Sequence, residues 1–188
     1  MPKNTAPSVS VAASDEPRNQ FGALCWRAGK SGAEVLLVSS RETGRWVIPK
    51  GWPMKGRSGP EAAAIEAWEE AGVKGQITLA KLGQFTYEKI LRRDTKKQTV
   101  QLCIVEVFPL EVTTLAPEFP EQRQRRRKWF APEAAARKVA EAELRALLSA
   151  FTPPLTASAA PTAGPGPSES KPPNRRKRQG DRLVSCHK

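Results

Sequence analysis

A short strand, a loop rich in glycine and proline, and a helix follow one another between residues 46 and 71. The run WVIP (46–49) has the length and apolarity of a strand, and KGWPMKGRSGP (50–60) is rich in residues that break regular structure. Ser58 and Glu61 form a capping-box pattern, and Pro60 suits the first helical turn. Because Gly72 is a helix stop, this order predicts a helix over residues 60–71.

The remaining periodic segments predict an α/β fold with a mixed sheet and helices on its faces. Strands are predicted at 21–26, 33–39, 75–90 and 98–110, and a second helix at 132–150, with the stretch 111–122 irregular.

The two ends of the chain differ in composition from its centre. Residues 1–17 and 152–188 are rich in Ser, Ala and Pro, so we expect disordered tails on either side of one domain at 18–151. The formal net charge is +12, of which the central domain carries +8 and the C-terminal tail +5, against −1 for residues 1–17. This charge favours an anionic partner, such as a phosphorylated small molecule, a nucleic acid or a membrane surface.

Histidine and cysteine exclude several kinds of chemistry. His187 is the only histidine, which leaves no residue for a histidine-based triad or a histidine-rich zinc site. Cys25, Cys103 and Cys186 are widely spaced, so we predict no disulfide or Cys₄ zinc site and a reducing, cytoplasmic location. No apolar run reaches the roughly 18 residues that span a bilayer, so no membrane partner is expected. Catalysis would therefore rest on carboxylates, metal ions and cations.

Three glutamates share one face of the predicted helix. Glu66, Glu69 and Glu70 fall within a stripe about 100° wide, and no Lys or Arg of the predicted helix lies three or four residues from any of them. Crowded carboxylates without a local counter-charge are typical of an Mg²⁺ site, although a solvated acidic helix face gives the same pattern. Helix geometry alone leaves both interpretations open.

The wider context of this stripe resembles the signature of Nudix hydrolases, which is G-x₅-E-x₇-R-E-U-x-E-E-x-G-U with U aliphatic. Its matches are Gly51, Glu66, Glu69, Glu70, Gly72 and Val73. Arg57 and Ile65 replace the glutamate and the arginine of the signature, which in the family belong to a supporting salt-bridge network. The resemblance implies an α/β/α sandwich with two main helices and metal-dependent hydrolysis of a phosphoanhydride.

The segments VLLVSS-RETG-RWVIPKGW and RRRKWF are similar to the diphosphoinositol polyphosphate phosphohydrolase branch of that family, which also cleaves dinucleoside polyphosphates. By position, Glu66, Glu70 and the backbone carbonyl of Lys50 would hold Mg²⁺, with Mn²⁺ as a substitute. Glu69 would be the general base, with Glu118 and Glu121 as further candidates. Bound Mg²⁺ would suit this chemistry as a Lewis acid and as an activator of water.

Several cations and hydroxyls are candidates for binding substrate phosphates. The resemblance implies phosphate contacts at Ser39, Ser40, Arg41 and Arg18, and the basic clusters around Arg93 and Arg125 favour a substrate with several phosphates. Trp46, Trp52 and Trp129 would either stack on a base or belong to the core.

The sequence leaves three other functions open. The loop GWPMKGRS (51–58) approaches a P-loop, but Arg57 replaces its lysine and Pro53 removes one phosphate-binding amide. The basic tail indicates RNA as a partner, or an RNA 5′-pyrophosphohydrolase with the same site. A Nudix domain that binds nucleotides without cleaving them is the third alternative. The favoured function is an Mg²⁺-dependent pyrophosphohydrolase of a polyphosphorylated small molecule.

Overall fold

One mixed sheet with helices on both faces makes up the part of the chain that the structure, a computed structural model, describes, residues 16–92 and 99–154. In chain order its strands and helices are β1 (Arg18–Gly29), β2 (Gly32–Ser39), β3 (Trp46–Val47), β4 (Lys50–Gly51), α1 (Gly59–Ala71), β5 (Val73–Ile77), β6 (Gly83–Arg92), β7 (Thr99–Leu115), β8 (Arg127–Phe130), α2 (Pro132–Ala136) and α3 (Ala142–Ser149).

The sheet is mixed because one of its pairs is parallel. β1 and β7 run parallel from the pair Arg18 and Cys103 to the pair Trp26 and Glu111, whereas every other strand pairing is antiparallel. The short strand β4 pairs with the start of β1, where Gly51 lies opposite Phe21. This pairing fixes the end of the apolar run 46–49, and with it the loop that leads into α1.

Two separate cores lie on the two faces of the sheet. Side chains alternate along each strand, so Leu24 and Val105 face α2 and α3, whereas Cys25 and Leu110 face α1. The structure thus confirms the predicted mixed sheet with helices on its faces, and the α/β/α layers that the resemblance implies. Cys25 and Cys103 are both buried, as expected for strand residues of this pattern.

Helix α1 matches its prediction closely. The backbone N–H of Ser58 donates to Glu61 Oε2 at 2.7 Å, and the Ser58 hydroxyl donates to the same oxygen at 2.8 Å. At the other end Gly72 takes φ +66°, and its N–H donates to the carbonyl of Trp68 at 2.8 Å. The left-handed conformation requires glycine there, which explains why the helix ends at Ala71.

The predicted strand at 75–90 was wrong, since it is two strands. β5 and β6 both pair with β7, the first along residues 110–115 and the second along 99–107. Between them the chain bends, and the N–H groups of Thr78 and Leu82 donate to β7 carbonyls at 2.8 Å each. The residues 111–115, predicted to be irregular, continue β7 because β5 supplies a pairing edge for them.

The predicted helix at 132–150 was also wrong in its length. It breaks into α2 and α3, with Arg137 to Glu141 between them. After α2 the N–H of Lys138 donates to the carbonyl of Ala135 at 2.8 Å, a tightened last turn. The break allows Val139 to enter the core, where only 4% of its surface is exposed. Apolar periodicity alone does not reveal such a break.

In the described part of the chain no helix is long and apolar enough to cross a membrane. Most of the predicted N-terminal segment, Arg93, Lys96 and Lys97, Cys186 and nearly all of the predicted C-terminal tail lie outside the described residues. The domain boundaries at 18 and 151 stay a prediction.

Candidate active site

One cleft of about 450 Å³ collects Glu66, Glu69 and Glu70 of α1 and two of the predicted phosphate-binding cations, Arg41 and Arg125. Its floor comes from α1 and β4, and its walls come from the loop after β2, from β6 and from the segment before β8. The charged side chains that line it are Arg41, Glu42, Arg45, Lys50, Glu66, Glu69, Glu70, Glu88, Lys89, Glu121 and Arg125. A second cavity of about 490 Å³, at the β1–β2 turn, contains none of the predicted site residues.

Glu70 is the most buried of the three glutamates in the acid stripe of α1, with 6% of its surface exposed. Its Oε2 accepts the backbone N–H of Lys50 at 3.2 Å, and its Oε1 pairs with the guanidinium of Arg125. The acid stripe therefore has a counter-charge, but it arrives from a residue 55 positions away along the chain. Local sequence spacing contains no sign of it.

Arg125 is the centre of this charge network, and its side chain is 6% exposed. Its Nη1 donates to the carbonyl of Ser39 at 3.0 Å, while its Nε and Nη2 pair with Glu121 and Glu70 respectively. A buried guanidinium with a partner for each nitrogen is a structural cation as well as a candidate phosphate ligand. A substrate phosphate would have to compete with these carboxylates for it.

Burial shifts the proton affinity of the carboxylates. Desolvation raises the pKa of Glu70 to about 7, against the opposing effects of Arg125 and Lys50. Desolvation, followed by the charges of Glu69 and Glu121, also raises the pKa of Glu66. Burial lowers the pKa of the Lys50 ammonium, although the charge of Glu70 opposes this. For both carboxylates, burial disfavours the ionised form more than the nearby cations favour it.

Glu66 lies directly against the backbone of β4. A Cβ atom on Gly51 would be 1.8 Å from Glu66 Oε1 and 2.0 Å from its carboxyl carbon. No side chain fits at position 51 unless the carboxylate moves, so this glycine creates the space that Glu66 occupies. Gly51 and Gly72 therefore have separate structural roles, one at the carboxylate and one at the end of α1.

The candidates for a general base occupy different surroundings. The carboxylate of Glu69 lines the cleft and makes no hydrogen bond or ion pair with the residues that the structure describes. Glu121 also lines the cleft, but it pairs with both Arg41 and Arg125. Glu118 is exposed and lies outside the cleft.

Only some of the predicted phosphate ligands line the cleft. Ser40 and Arg41 line the cleft, and Arg41 Nη1 lies 3.0 Å from Glu121 Oε1. Ser39 is buried, and its hydroxyl accepts the N–H of Arg126 at 2.9 Å, so it joins β2 to the segment before β8. Arg18 is exposed and reaches the cleft only through Trp52, with its guanidinium carbon 4.3 Å from the ring centroid.

Other residues of the cleft had not been predicted. Tyr87 and Lys89 lie two residues apart on β6 and so point to the same face, with Lys89 Nζ 4.8 Å from the Trp52 ring. Their alternation on a strand was the available signal, but it does not say which face meets the cleft. Trp46 and Trp129 pack against the two cores, whereas Trp52 lines the cleft.

The basic run before Trp129 contributes a single residue to the cleft. Arg127 Nη1 donates to the carbonyl of Ala71 at 2.5 Å, which holds β8 against the end of α1. Arg126 lies over the Trp46 ring and Lys128 over the Phe130 ring. Only Arg125 of this run lines the cleft, so most of the run stabilises the fold.

The donor set at the floor of the cleft suits Mg²⁺ in its chemistry. It consists of oxygen atoms alone, from Glu66, Glu69, Glu70 and the backbone of Lys50, and hard divalent cations prefer oxygen. Within residues 16–92 and 99–154, however, no three acidic, histidine or cysteine side chains converge on one point. Glu70 instead faces Arg125, so a cation that binds Glu70 has to replace the guanidinium.

Arg125→Gln should destabilise the protein by about 3 kcal/mol, because it leaves Glu70 buried without its closest cation. Urea denaturation of the two proteins measures this difference. The exposed Arg123→Gln is the matched control, and we expect it to change stability by less than about 0.5 kcal/mol. Added Mg²⁺ should restore part of the loss in the first variant. Equal stability of the two variants would contradict the assigned role.

Comparison with known protein families then identifies the chain. The family model described as the NUDIX domain matches residues 17–151, about seven-tenths of the sequence. The chain belongs to the Nudix family. This Nudix domain is an enzyme that hydrolyses phosphoanhydrides, and hydrolases of this family typically use a divalent metal ion.

Relatives of this Nudix hydrolase include diphosphoinositol polyphosphate phosphohydrolase 3-alpha of Mus musculus, 32% identical over 162 residues that cover 82% of this chain and 90% of the relative. Nudix hydrolase 21, chloroplastic, of Arabidopsis thaliana is 33% identical over 138 residues, 71% of this chain and 66% of the relative. The structure of a C. elegans Ap4A hydrolase binary complex matches with a TM-score of 0.50 and 23% identity, covering 70% of this chain and 93% of that chain. That structural match supports the fold.

Proposed function

We propose that this Nudix hydrolase cleaves a phosphoanhydride bond in a polyphosphorylated small molecule, a dinucleoside polyphosphate or a diphosphoinositol polyphosphate. The observation that carries the proposal is that one cleft places Glu66, Glu69 and Glu70 opposite five cationic side chains. A substrate with one phosphate would not need so many cations. The M. musculus relative, named for diphosphoinositol polyphosphates, supports the same substrate class.

Glu66, Glu70 and the carbonyl of Lys50 would hold Mg²⁺, with Mn²⁺ as an alternative ion. When bound, the ion supplies charge neutralisation on the phosphate oxygens and lowers the pKa of coordinated water. The carboxylates are desolvated and lie beside cationic side chains that a metal ion can displace, which favours metal binding. Arg125, released from Glu70, would then be available to bind a phosphate with its planar fork.

Glu69 is our choice for the general base. Its carboxylate lies in the cleft and has no cation to hold it, so it can accept a proton from an attacking water. Glu121 is a poorer choice because its carboxylate is already engaged in ion pairs with both Arg41 and Arg125. Arg41 lies at the opposite wall, where its exposed guanidinium can bind the phosphates that remain on the leaving group.

Release of phosphate-containing products by the full chain tests this proposal. Diadenosine hexaphosphate, a diphosphoinositol polyphosphate and triphosphorylated RNA are compared in the presence of Mg²⁺, with EDTA as the control. We expect turnover of one or both small molecules and its loss in EDTA. Turnover of RNA alone, or of none of the three, would contradict the proposal. RNA stays the alternative: the basic tail that favours it lies outside the described residues, and of the basic run at 125–128 only Arg125 lines the cleft.

A further inference from the structure

An ion pair between an exposed arginine and a buried glutamate lies at one edge of the cleft and is separate from the acid stripe. Arg45 Nη2 is 3.0 Å from Glu141 Oε1, and the Glu141 side chain is only 6% exposed whereas that of Arg45 is 40% exposed. Arg45 lines the cleft, and Glu141 lies behind it at the start of α3. The pair therefore connects the helical layer to the open cleft.

Among the described residues Glu141 has one ion-pair partner, Arg45, and its charge also acts on the ammonium group of Lys50. It stands at the N-cap of α3, yet its side chain makes no capping hydrogen bond. Neither carboxylate oxygen has a hydrogen-bond partner in the described part of the chain, so the ion pair is its one close polar contact there. Burying a carboxylate costs free energy, and a nearby cation offsets part of that cost. Contact between Arg45 and Glu141 is therefore favoured over their separation.

The loop that carries Arg45 is closed by its own hydrogen bonds. The N–H of Ser40 donates to the carbonyl of Arg45 at 2.8 Å, and the N–H of Gly44 donates to the carbonyl of Ser40 at 3.0 Å. The Ser40 and Thr43 hydroxyls are also 2.6 Å apart. These hydrogen bonds fix the backbone of Arg45, and the contact with Glu141 restricts its guanidinium. Arg45 therefore loses little conformational entropy when it binds a ligand.

We propose that Arg45 binds a phosphate group of the substrate and that Glu141 is the positioning residue that orients its guanidinium. Glu141 contacts one nitrogen of the guanidinium, Nη2, and the other nitrogens make no hydrogen bond or ion pair with the described residues, so they can face a ligand in the cleft. The inference rests on the proposed function, because it assigns one more cation to the same polyphosphate.

Binding of inorganic tripolyphosphate, measured by calorimetry without divalent cations, tests this contact without requiring hydrolysis. Arg45→Gln combined with Glu141→Gln removes the pair, strands no buried charge and leaves the net charge unchanged. We expect this double variant to bind tripolyphosphate about tenfold more weakly, as for the loss of one charge-assisted contact. Glu141→Asp keeps the charge but shortens the side chain, and should weaken binding by about threefold through lost orientation.

A matched control exists at the other end of the domain. Arg27 and Glu34 form an ion pair at 2.7 Å with similar exposure of the arginine, 44%, but they lie away from the cleft. The double variant Arg27→Gln with Glu34→Gln, and Glu34→Asp, should leave the affinity for tripolyphosphate unchanged. Affinities of the Arg45 and Glu141 variants equal to these controls would overturn the inference, as would the absence of saturable binding to the unaltered protein.

Steady-state kinetics separate orientation from a merely structural role. On the substrate that the unaltered enzyme cleaves, Glu141→Asp should raise KM and leave kcat within about twofold of the original value. The contact between Arg45 and the phosphate would be equally strong in the bound substrate and in the transition state, so its loss weakens binding without slowing the chemical step. A fall in kcat with unchanged KM would contradict the positioning role. If tripolyphosphate binding depends on Arg45 while no phosphoanhydride is cleaved, the proposed function fails and this inference stands. If a phosphoanhydride is cleaved with the same kcat and KM when Arg45 is replaced, the proposed function stands and this inference fails.

Discussion

Glu70→Gln should lower kcat by about a thousandfold, with KM changed by less than about threefold, because the charge is needed for catalysis rather than for binding. The carbon skeleton and the acceptor for the Lys50 N–H are kept, and Glu121 remains to pair with Arg125, so the variant should fold. Initial rates on the substrate that the unaltered enzyme cleaves measure kcat and KM. Far-ultraviolet circular dichroism checks that the variant is folded.

Glu61→Gln is the control for Glu70→Gln, since it removes the same charge from the same helix. Glu61 is exposed, lies outside the cleft and accepts hydrogen bonds from Ser58, which a glutamine can also accept. Its kcat should stay within about twofold of the unaltered enzyme. More than a tenth of the activity left in Glu70→Gln would contradict a role for this carboxylate in the reaction.

Local signals in the sequence predicted the part of the site that α1 carries. The capping box at Ser58, the stop at Gly72 and helical spacing between them place all three glutamates on one face, and that face lines the cleft. Each of these features depends on residues a few positions apart. Their energies are local, so a single sequence contains enough information to predict them.

The partners of these glutamates could not be predicted in the same way. Arg125 reaches Glu70 only because β8 pairs with β2 and thereby brings the preceding segment to the end of the cleft. Glu141 reaches Arg45 only because the second helix breaks before α3. Contacts of this kind depend on tertiary packing, which propensity and periodicity do not encode.

One departure from the Nudix signature lies beside this network. Ile65 stands where the signature has an arginine, and α1 contains no lysine or arginine. The cation that pairs with Glu70, Arg125, comes from a distant segment of the chain. Arg57, the other departure, pairs with Glu61 on the surface at 3.8 Å.

Gly51→Ala should abolish most of the activity while leaving the protein nearly as stable as before. The new methyl group would occupy the position of the Glu66 carboxylate, whose oxygen lies 1.8 Å from it. The carboxylate is the end of a flexible side chain and can move away at little cost, so the fold tolerates the change. The proposed metal site would lose the placement of Glu66, so we expect kcat to fall by about a hundredfold and Mn²⁺ affinity by about tenfold.

Gly75→Ala is the opposite case and serves as the control for Gly51→Ala. A Cβ atom there would also meet an oxygen at 1.8 Å, but this oxygen is the backbone carbonyl of Glu111 and cannot rotate away. That variant should lose about 2 kcal/mol of stability, measured by urea denaturation, and keep its kcat per folded molecule. If Gly51→Ala instead lost stability and kept full Mn²⁺ affinity by electron paramagnetic resonance titration, Glu66 would not be a metal ligand, because its displacement would have left the metal bound.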